Sequence, residues 1–463
     1  MSYLAAVEGL FARGHELSAK PGDAGAVRRK FDLAHIRTLA GALGNPQMQF
    51  PSVLIAGTNG KGSTSATLAS ILHAAGHRTG LYTSPHLIRV NERIQWSQHG
   101  LLTPIADADF ARLYFHVDDV AQTLVQQGKL PHAPSFFEMM TAIAFCSFAE
   151  QQVEIAVLEV GMGGRLDATN IVEPLLSIIT DISLDHTEWL GDTIAAITRE
   201  KAGILRQNGT LITLPQHQEA NSTLGEVAMP LNLKGVNAAD YIPAWDSVQR
   251  SADFRNRYPL KLQGEQVQMD SPLAGQHQQR NIALAIAAAV ELSNSKDYKI
   301  TNTAILQGVR DTQWPGRLER VTTAPVPVLL DVAHNPAGAW ALRSALSGLP
   351  EDQPRTLLFG CLRDKPVTTM AQILFPLFDP EGDRAADRIV LAQIDNPRAA
   401  TLEEMQAAAE SMGIAVETAA DLPAGLRRAL QLTPANGLVV GTGSIYLVGK
   451  IRELLLAGAP EAR

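Results

Sequence analysis

The stretch Val53-Leu54-Ile55-Ala56-Gly57-Thr58-Asn59-Gly60-Lys61-Gly62-Ser63-Thr64 decides how this chain folds. Its first four residues form an apolar run with the length and character of a buried parallel strand. Glycines then break the run, and Ser65-Ala-Thr-Leu-Ala-Ser-Ile-Leu-His-Ala-Ala carries a helical pattern that stops at Gly76. Strand, glycine turn and helix in that order build a phosphate cradle. The glycines let backbone N–H groups converge on an anion, and the helix N-terminus adds the positive end of its dipole. Lys61 is placed to meet the outer phosphates, and Ser63 or Thr64 to help hold a magnesium ion. The strict G-x-x-x-x-G-K-[ST] spacing is not met, because position 62 is glycine and position 55 is isoleucine. A glycine turn capping an ordinary helix is the bland alternative, and the lysine and hydroxyls beside the turn argue against it.

Length and composition set the frame. A chain of 463 residues holds two or three domains at ~150 residues each. A hydrophobic content of 46% is enough for large cores. The formal net charge of −8, with no dense basic run, argues against nucleic acid as a partner. Cys146 and Cys361 are far apart and lack a C-x-x-C neighbour, which points to a reducing compartment and away from zinc or iron–sulfur centres. The opening Met1-Ser-Tyr-Leu-Ala-Ala-Val-Glu shows no basic segment leading into an apolar core, so no signal peptide is expected. No apolar run reaches the ~18 residues of a membrane span. A cytoplasmic monomer without a membrane partner is the expectation.

Along the chain, residues 1–50 read as helical, with Leu10, Phe11, Leu33, Ile36, Leu39 and Leu43 as core positions and Asp32 as an N-cap. Arg78 to Thr83 reads as a strand running into Ser84-Pro85-His86, and residues 103–127 as an amphipathic helix. Ser135 and Glu138 form a capping box at the start of a helix over Met139 to Ala149, leaving Phe137 as core or as a ligand wall. Val153 to Val160 is a buried strand with Glu159 near its end, followed by the glycine-rich loop Gly161 to Asn170. Leu175 to Thr180 is another strand, and Asp181, Asp185, His186 and Thr187 follow it. An acid and a histidine at strand ends, with a phosphate loop in the same sheet, suit a hard divalent cation at Glu159 and His186. Lys201, on a helix over Thr193 to Leu205, reads by default as a surface lysine. Residues 216–272 are polar and read as excursions or small β elements. Gln278, Gln279 and Asn281 open an alanine-rich helix, where they cap it or face a base. Beyond Trp314-Pro315-Gly316-Arg317, strands and helices alternate to the end, which predicts a second doubly wound sheet. The predicted organisation is α/β throughout, with an ATP-binding domain over 1–319 and a smaller Rossmann-like domain over 320–463. The cleft between them is the natural reaction site.

Several motifs occur in one order: Gly57-Thr-Asn-Gly-Lys-Gly-Ser63, Tyr82-Thr-Ser-Pro-His86, Phe137-Glu138, Gly164-Arg-Leu-Asp-Ala-Thr-Asn170, Leu184-Asp-His186, Arg199-Glu-Lys-Ala-Gly203, Trp314-Pro-Gly-Arg317 and Asp331-Val-Ala-His-Asn-Pro336. In these the chain closely resembles the folylpolyglutamate synthase/dihydrofolate synthase family of the Mur ligase superfamily. The resemblance covers nearly the whole chain and is weakest over 216–272.

It implies a Mur ligase-like fold and ATP-driven amide formation. A pteroate or folate carboxylate takes the γ-phosphoryl group of ATP, and the amine of L-glutamate displaces phosphate from the acyl phosphate. Carried over motif by motif, Gly60, Lys61, Gly62 and Ser63 hold the phosphates, and Ser84, Glu159 and His186 hold magnesium, with two ions expected. Lys201 matches a lysine that the family carries as a carbamate. Asn281, Arg317 and Asp331 match nucleotide contacts, and His334 is placed to assist catalysis. Phe31, Asp32 and Leu33, with Ser135, Phe136, Phe137 and Glu138 and with Leu166, Asp167 and Ala168, match the pteroate pocket of bifunctional members. Arg363-Asp364-Lys365-Pro366 departs from the Asp-Lys-Asp that many members carry there. The resemblance implies both dihydrofolate synthesis and polyglutamylation. Polyglutamylation alone, a Mur-type peptide ligase and an ATPase without ligation are the alternatives.

Overall fold

The computed structural model describes residues 2–14, 32–98, 100–244, 247, 249–250, 254–321, 326–379 and 386–457. Two compact units divide these residues. The first gathers the chain up to Ile242 with Leu260–Val267 and Arg280–Thr312, and the second gathers Pro243–Pro259, Gln268–Gln279 and the chain from Gln313 onward.

In the first unit, α1 (Tyr3–Phe11) and α2 (Leu33–Ala42) precede β1 (Ser52–Ala56) and α3 (Lys61–Ala74). Then come β2 (Thr79–Tyr82), β3 (Ile94–Gln98), β4 (Leu101–Pro104), α4 (Asp107–Gln126), α5 (Phe136–Glu150), β5 (Ile155–Glu159) and β6 (Leu176–Ile179). The short α6 (Thr187–Leu190), α7 (Ile194–Ala202), β7 (Thr210–Thr213), α8 (Gln218–Ala228) and β8 (Lys234–Asn237) follow. The eight strands form one sheet in the order β4-β3-β2-β5-β1-β6-β7-β8. From β2 to β8 the neighbours are parallel, whereas β3 and β4 are antiparallel additions at one edge. Every residue of β1, β5 and β6 is buried, as a parallel sheet covered on both faces requires. The chain winds to one side of β1 for β2 and β5 and to the other for β6, β7 and β8. The winding therefore reverses at β1, and the crevice at its carboxyl end is where open α/β sheets bind ligands.

Helices α1, α4 and α5 share a core containing Leu10, Phe110, Tyr114, Phe145 and Phe148. Phe11, expected in that core, is 37% exposed and meets the rings of Phe136 and His86 at 5.5 and 6.4 Å. The expected helix over 103–127 begins at Asp107, because residues 101–104 pair with β3 instead. On the far side of the sheet, α3 packs closely on α10 (Asn302–Asp311), an element the sequence reading did not single out. Gly308 permits the approach: a Cβ there would lie 2.3 Å from the Ile71 Cα, and Ser70 Oγ donates to the Gly308 carbonyl at 2.7 Å. The described residues of the polar stretch 216–272 carry the small β elements expected there, together with a helix that was not expected. They hold α8, β8 and a three-stranded sheet of β9 (Gln249–Arg250), β10 (Asn256–Leu262) and β11 (Glu265–Ser271). Helix α9 (Gln276–Ser295) follows it.

In the second unit a six-stranded sheet has the order β12-β13-β17-β14-β15-β16. Its strands are β12 (Glu319–Val321), β13 (Val328–Leu330), β14 (Arg355–Phe359), β15 (Arg388–Ala392), β16 (Glu417–Ala419) and β17 (Leu438–Thr442). Only β12 runs antiparallel. Helices α11 (Pro336–Leu346), α12 (Val367–Leu374), α13 (Leu402–Glu410), α14 (Leu422–Leu432) and α15 (Ile445–Ala457) alternate with these strands, as the pattern predicted. Phe359 and Phe375 pack edge to face in its core at 5.2 Å. Among the described residues, no helix is long and apolar enough to cross a membrane.

Candidate active site

The glycine turn after β1 is tied to the end of β6 by its own backbone. The amides of Thr58 and Asn59 donate to the Asp181 carbonyl at 2.9 and 3.2 Å. Thr58 Oγ1 donates to the Ser183 carbonyl and receives the Ser183 amide, while Asn59 Nδ2 donates to Ser183 Oγ. Gly60 is the N-cap of α3 at φ +87°, and a Cβ there would come within 2.1 Å of Asn281 Oδ1. Only glycine adopts this conformation at no steric cost. No side chain caps α3, so its first turn is open to an anion. Lys61, half-buried, donates from Nζ to the Thr58 carbonyl at 3.2 Å, and Gly62 and Ser63 are buried beneath it. Asn281 closes the far side, its carbonyl accepting from Thr64 Oγ1 at 3.4 Å.

Lys201 is not a surface lysine. It is 4% exposed on α7, and its Nζ donates to the Gly57 carbonyl at 2.8 Å. Burial, with the nearby charge of Lys61, pushes its pKa down to about 7. The amine is therefore partly neutral, and nucleophilic, at neutral pH. A close contact seats its helix: a Cβ on Gly164 would lie 2.7 Å from the Lys201 carbonyl.

The candidate metal ligands lie on strand ends around the same turn. Ser84 follows β2, Glu159 ends β5 and His186 follows β6, so they flank β1 in the order β2-β5-β1-β6. The Ser84 amide donates to Glu159 Oε2 at 3.3 Å, which joins two of the three. The peptide between Ser84 and Pro85 is cis. Glu159 is 3% exposed, and His186 takes a left-handed conformation at the start of α6. Among the described residues, no group of three His, Cys, Asp or Glu side chains could hold a metal ion. A hydroxyl, a carboxylate and an imidazole beside a phosphate cradle still fit a magnesium ion that keeps water and takes substrate phosphates as ligands.

The candidate pteroate segments meet in the first unit. α2 packs on α5 and on the turn of helix Ala168–Ile171, and α5 packs on that turn as well. Phe31 lies outside the described residues. Asp32 caps α2 through the Ala34 amide, and Leu33 lies half-buried against the core. The capping box of Ser135 and Glu138 is present, and Glu138 also meets His35 Nδ1 at 2.7 Å. That histidine and the capped amide hold the Glu138 carboxyl below its ordinary value against the opposing effect of burial. Phe136 is buried under the Arg93 guanidinium at 5.1 Å, whereas Phe137 is half-buried and faces Tyr82 at 6.2 Å. Leu166 is half-buried and Ala168 is buried. The buried Asp167 carboxylate accepts from the amides of Gly161, Met162 and Thr169 and from the Thr169 hydroxyl, so it orders the glycine loop. Burial raises it to about 6.

In the second unit, Asp331 accepts from the amides of Leu318 and Ala333, which fixes the turn carrying Arg317. Burial raises the Asp331 carboxyl, with the Arg317 charge opposing. Arg317 lies over the Trp314 ring at 6.0 Å. His334 Nδ1 lies 2.9 Å from the Val332 carbonyl, to which it can only donate, and this bond orients the ring.

Three supporting residues escaped the sequence reading. Glu92 accepts from the amides of Leu87, Ile88 and Arg89 and so holds the loop after Ser84. His86 accepts from Arg93 Nε at 2.8 Å, and burial with that charge lowers it to about 3. Arg280 grips Asp181. Arg280 and Asp181 are 99 positions apart, so no local pattern joins them, and the short-range contacts of Glu92 and His86 follow no motif that the sequence reading used.

Two family models match the chain: the Mur ligase middle domain over 115–289 and the Mur ligase glutamate ligase domain over 316–445. The dihydrofolate synthase/folylpolyglutamate synthase of Bacillus subtilis is 34% identical over 431 residues, covering 91% of this chain and 94% of that protein. A Mycobacterium tuberculosis folylpolyglutamate synthase complexed with ADP and AMPPCP superposes with a TM-score of 0.84 at 32% identity over 99% of both chains. The Escherichia coli FolC structure in complex with DHPP and ADP gives 0.77 at 28% identity, over 99% of this chain and 98% of that one. With relatives this similar along its length, a Mur ligase fold and an uncapped glycine turn at the reversal of its larger sheet, the chain belongs to the dihydrofolate synthase/folylpolyglutamate synthase family of ATP-dependent glutamate ligases.

Proposed function

We propose that this protein joins L-glutamate to dihydropteroate, forming dihydrofolate, and adds further glutamates to reduced folates. The observation that carries the reading is the cluster of Lys61, Lys201 and an uncapped helix N-terminus around one glycine turn, with a carboxylate and an imidazole on flanking strand ends. A free carboxylate is a poor acylating agent. Its oxygen therefore attacks the γ-phosphorus of ATP, ADP departs, and an acyl phosphate results. The amine of glutamate attacks the acyl carbon, sheds a proton, and phosphate leaves. Positioning and charge neutralisation carry most of this catalysis. The amides of Gly60 to Ser63 and the Lys61 ammonium hold the phosphates. Asn281, Arg317 and Asp331 are the proposed nucleotide contacts, and His334 assists. Magnesium, held by Ser84, Glu159 and His186, supplies charge neutralisation on the phosphates when bound.

Lys201 is proposed to act as a carbamate. Its neutral amine attacks carbon dioxide and loses a proton, which replaces a weakly basic amine with an anion beside the phosphate loop. The pteroate moiety is assigned to Phe31 to Leu33, Ser135 to Glu138 and Leu166 to Ala168, with Phe137 as the stacking face. Dihydrofolate synthesis rests on that pocket.

The test measures phosphate release with ATP and magnesium, adding dihydropteroate and L-glutamate singly and together, with the product identified by mass. Release only with both, yielding dihydrofolate, is the expected result. If tetrahydrofolate with glutamate supports release and dihydropteroate does not, the protein is a polyglutamylating enzyme alone. Release that ignores both acceptors overturns the ligase reading.

A further inference from the structure

Arg280 immediately precedes Asn281 on α9, and its guanidinium grips Asp181 with two bonds, Nε to Oδ2 at 3.0 Å and Nη2 to Oδ1 at 2.5 Å. Nη2 also donates to the Pro215 carbonyl, just past β7, at 3.0 Å. Asp181 is the residue whose carbonyl receives the Thr58 and Asn59 amides of the phosphate loop. Asn281, the next residue after Arg280, abuts Gly60 at the loop's other end. These contacts close a ring: the loop rests on the Asp181 main chain, the Asp181 side chain is held by Arg280, and the neighbour of Arg280 seats the glycine that starts α3. A paired fork between guanidinium and carboxylate fixes orientation as well as distance. Both side chains are partly exposed, at 30% and 39%. The pair therefore contributes little to global stability by itself, and its effect is local.

We propose that Arg280 is a positioning residue for the nucleotide: through Asp181 it holds the phosphate loop in the conformation that points its amides at the triphosphate. The proposal rests on the nucleotide-site reading above. No atom of Arg280 need touch ATP, since the Asp181 carbonyl and the Asn281 side chain transmit its effect.

The test is a titration of the full-length protein with a fluorescent ATP analogue in the presence of magnesium. Native protein is compared with R280Q, R280K, D181N and the R280Q/D181N double variant, with thermal midpoints recorded in parallel. R280Q and D181N should each weaken nucleotide binding about fivefold, and the double variant no more than the worse single one, because both remove one shared contact. R280K, which keeps the charge without the fork, should recover only part of the loss. The KM values for glutamate and for the pteridine substrate should stay as in the native protein. Nucleotide affinities within twofold of native, with only the thermal midpoints lowered, would overturn the proposal. So would losses that multiply in the double variant. A native protein that binds no nucleotide overturns the underlying site reading instead, which separates the two failures.

Discussion

The two parallel sheets each present a glycine turn between a buried strand and a helix, and only one of these turns is built as an anion cradle. After β1, Gly60 heads α3 with no side-chain cap, and Lys61 and Lys201 bring two amines to the loop. At the end of β17, Gly441-Thr442-Gly443-Ser444 leads into α15, but Ser444 Oγ receives the Tyr446 amide and the Gly443 amide donates to the Ala333 carbonyl. The second helix start thus satisfies itself with its own chain. Glycine in the first unit leaves amides available, and glycine in the second lets strands and loops approach. The lesson is that strand, glycine and helix make only a scaffold, and function depends on whether the helix start is already capped and which charges surround it.

The sharpest way to break this comparison is to remove the charge. Lys61→Ala should lower kcat/KM for ATP by ~10²–10³-fold with little change in thermal midpoint. Steady-state phosphate release and calorimetry on the same preparation check this, and a loss below tenfold would mean that the amides suffice alone. A matched pair of glycine substitutions comes next. Gly60→Ala drives a Cβ to 2.1 Å from Asn281 Oδ1 and should weaken nucleotide binding ~10–100-fold. Gly443→Ala, at φ +109° and 2.5 Å from the Gly360 carbonyl, should instead lower stability by ~2 kcal/mol with nucleotide affinity unchanged. Equal effects on binding from both glycines would erase the distinction.

A pH series sharpens the electrostatic half of the comparison. The folded chain holds Lys201 near pKa 7, against an ordinary 10.5. Between those values the unfolded chain binds a proton that the folded chain does not, so this group makes stability rise with pH from about 7 to about 10.5, by up to ~1.4 kcal/mol per pH unit. Lys201→Met should flatten that rise. Urea midpoints from pH 6.5 to 9 in carbon dioxide-depleted buffer measure it, and parallel profiles for the two proteins would show that the lysine is not held deprotonated. The smallest effect belongs to Ser444→Ala, which removes the cap on Tyr446 and should cost ~1 kcal/mol of stability without altering nucleotide affinity.

Much of this was legible in the sequence, for reasons particular residues show. The buried strands Ser52–Ala56, Ile155–Glu159 and Leu176–Ile179 are mostly apolar, without alternation, because both faces of the sheet are covered. The Ser135 and Glu138 capping box is a purely local device and formed as read. Phe11 was misjudged because helical periodicity shows which face is apolar, not whether anything covers its last turn. Thr103 and Pro104 of the strand Leu101–Pro104 were taken into a helix because its pairing partner, not its own pattern, makes it β. Helix Gln218–Ala228 was hidden by polar composition.

Lys201 marks the boundary most clearly. On sequence physics it was a surface lysine, and only its placement under the Gly57 carbonyl makes it a buried, weakly basic amine. Short-range interactions fix the strand–glycine–helix unit, the caps and the α/β character of the chain, and these can be read from the residues in order. The tertiary structure alone decided which residues separated by a hundred positions share a charge or a hydrogen bond, as Arg280 does with Asp181 and His35 with Glu138. Burial and electrostatic coupling depend on distance in space, and a linear pattern carries no record of it.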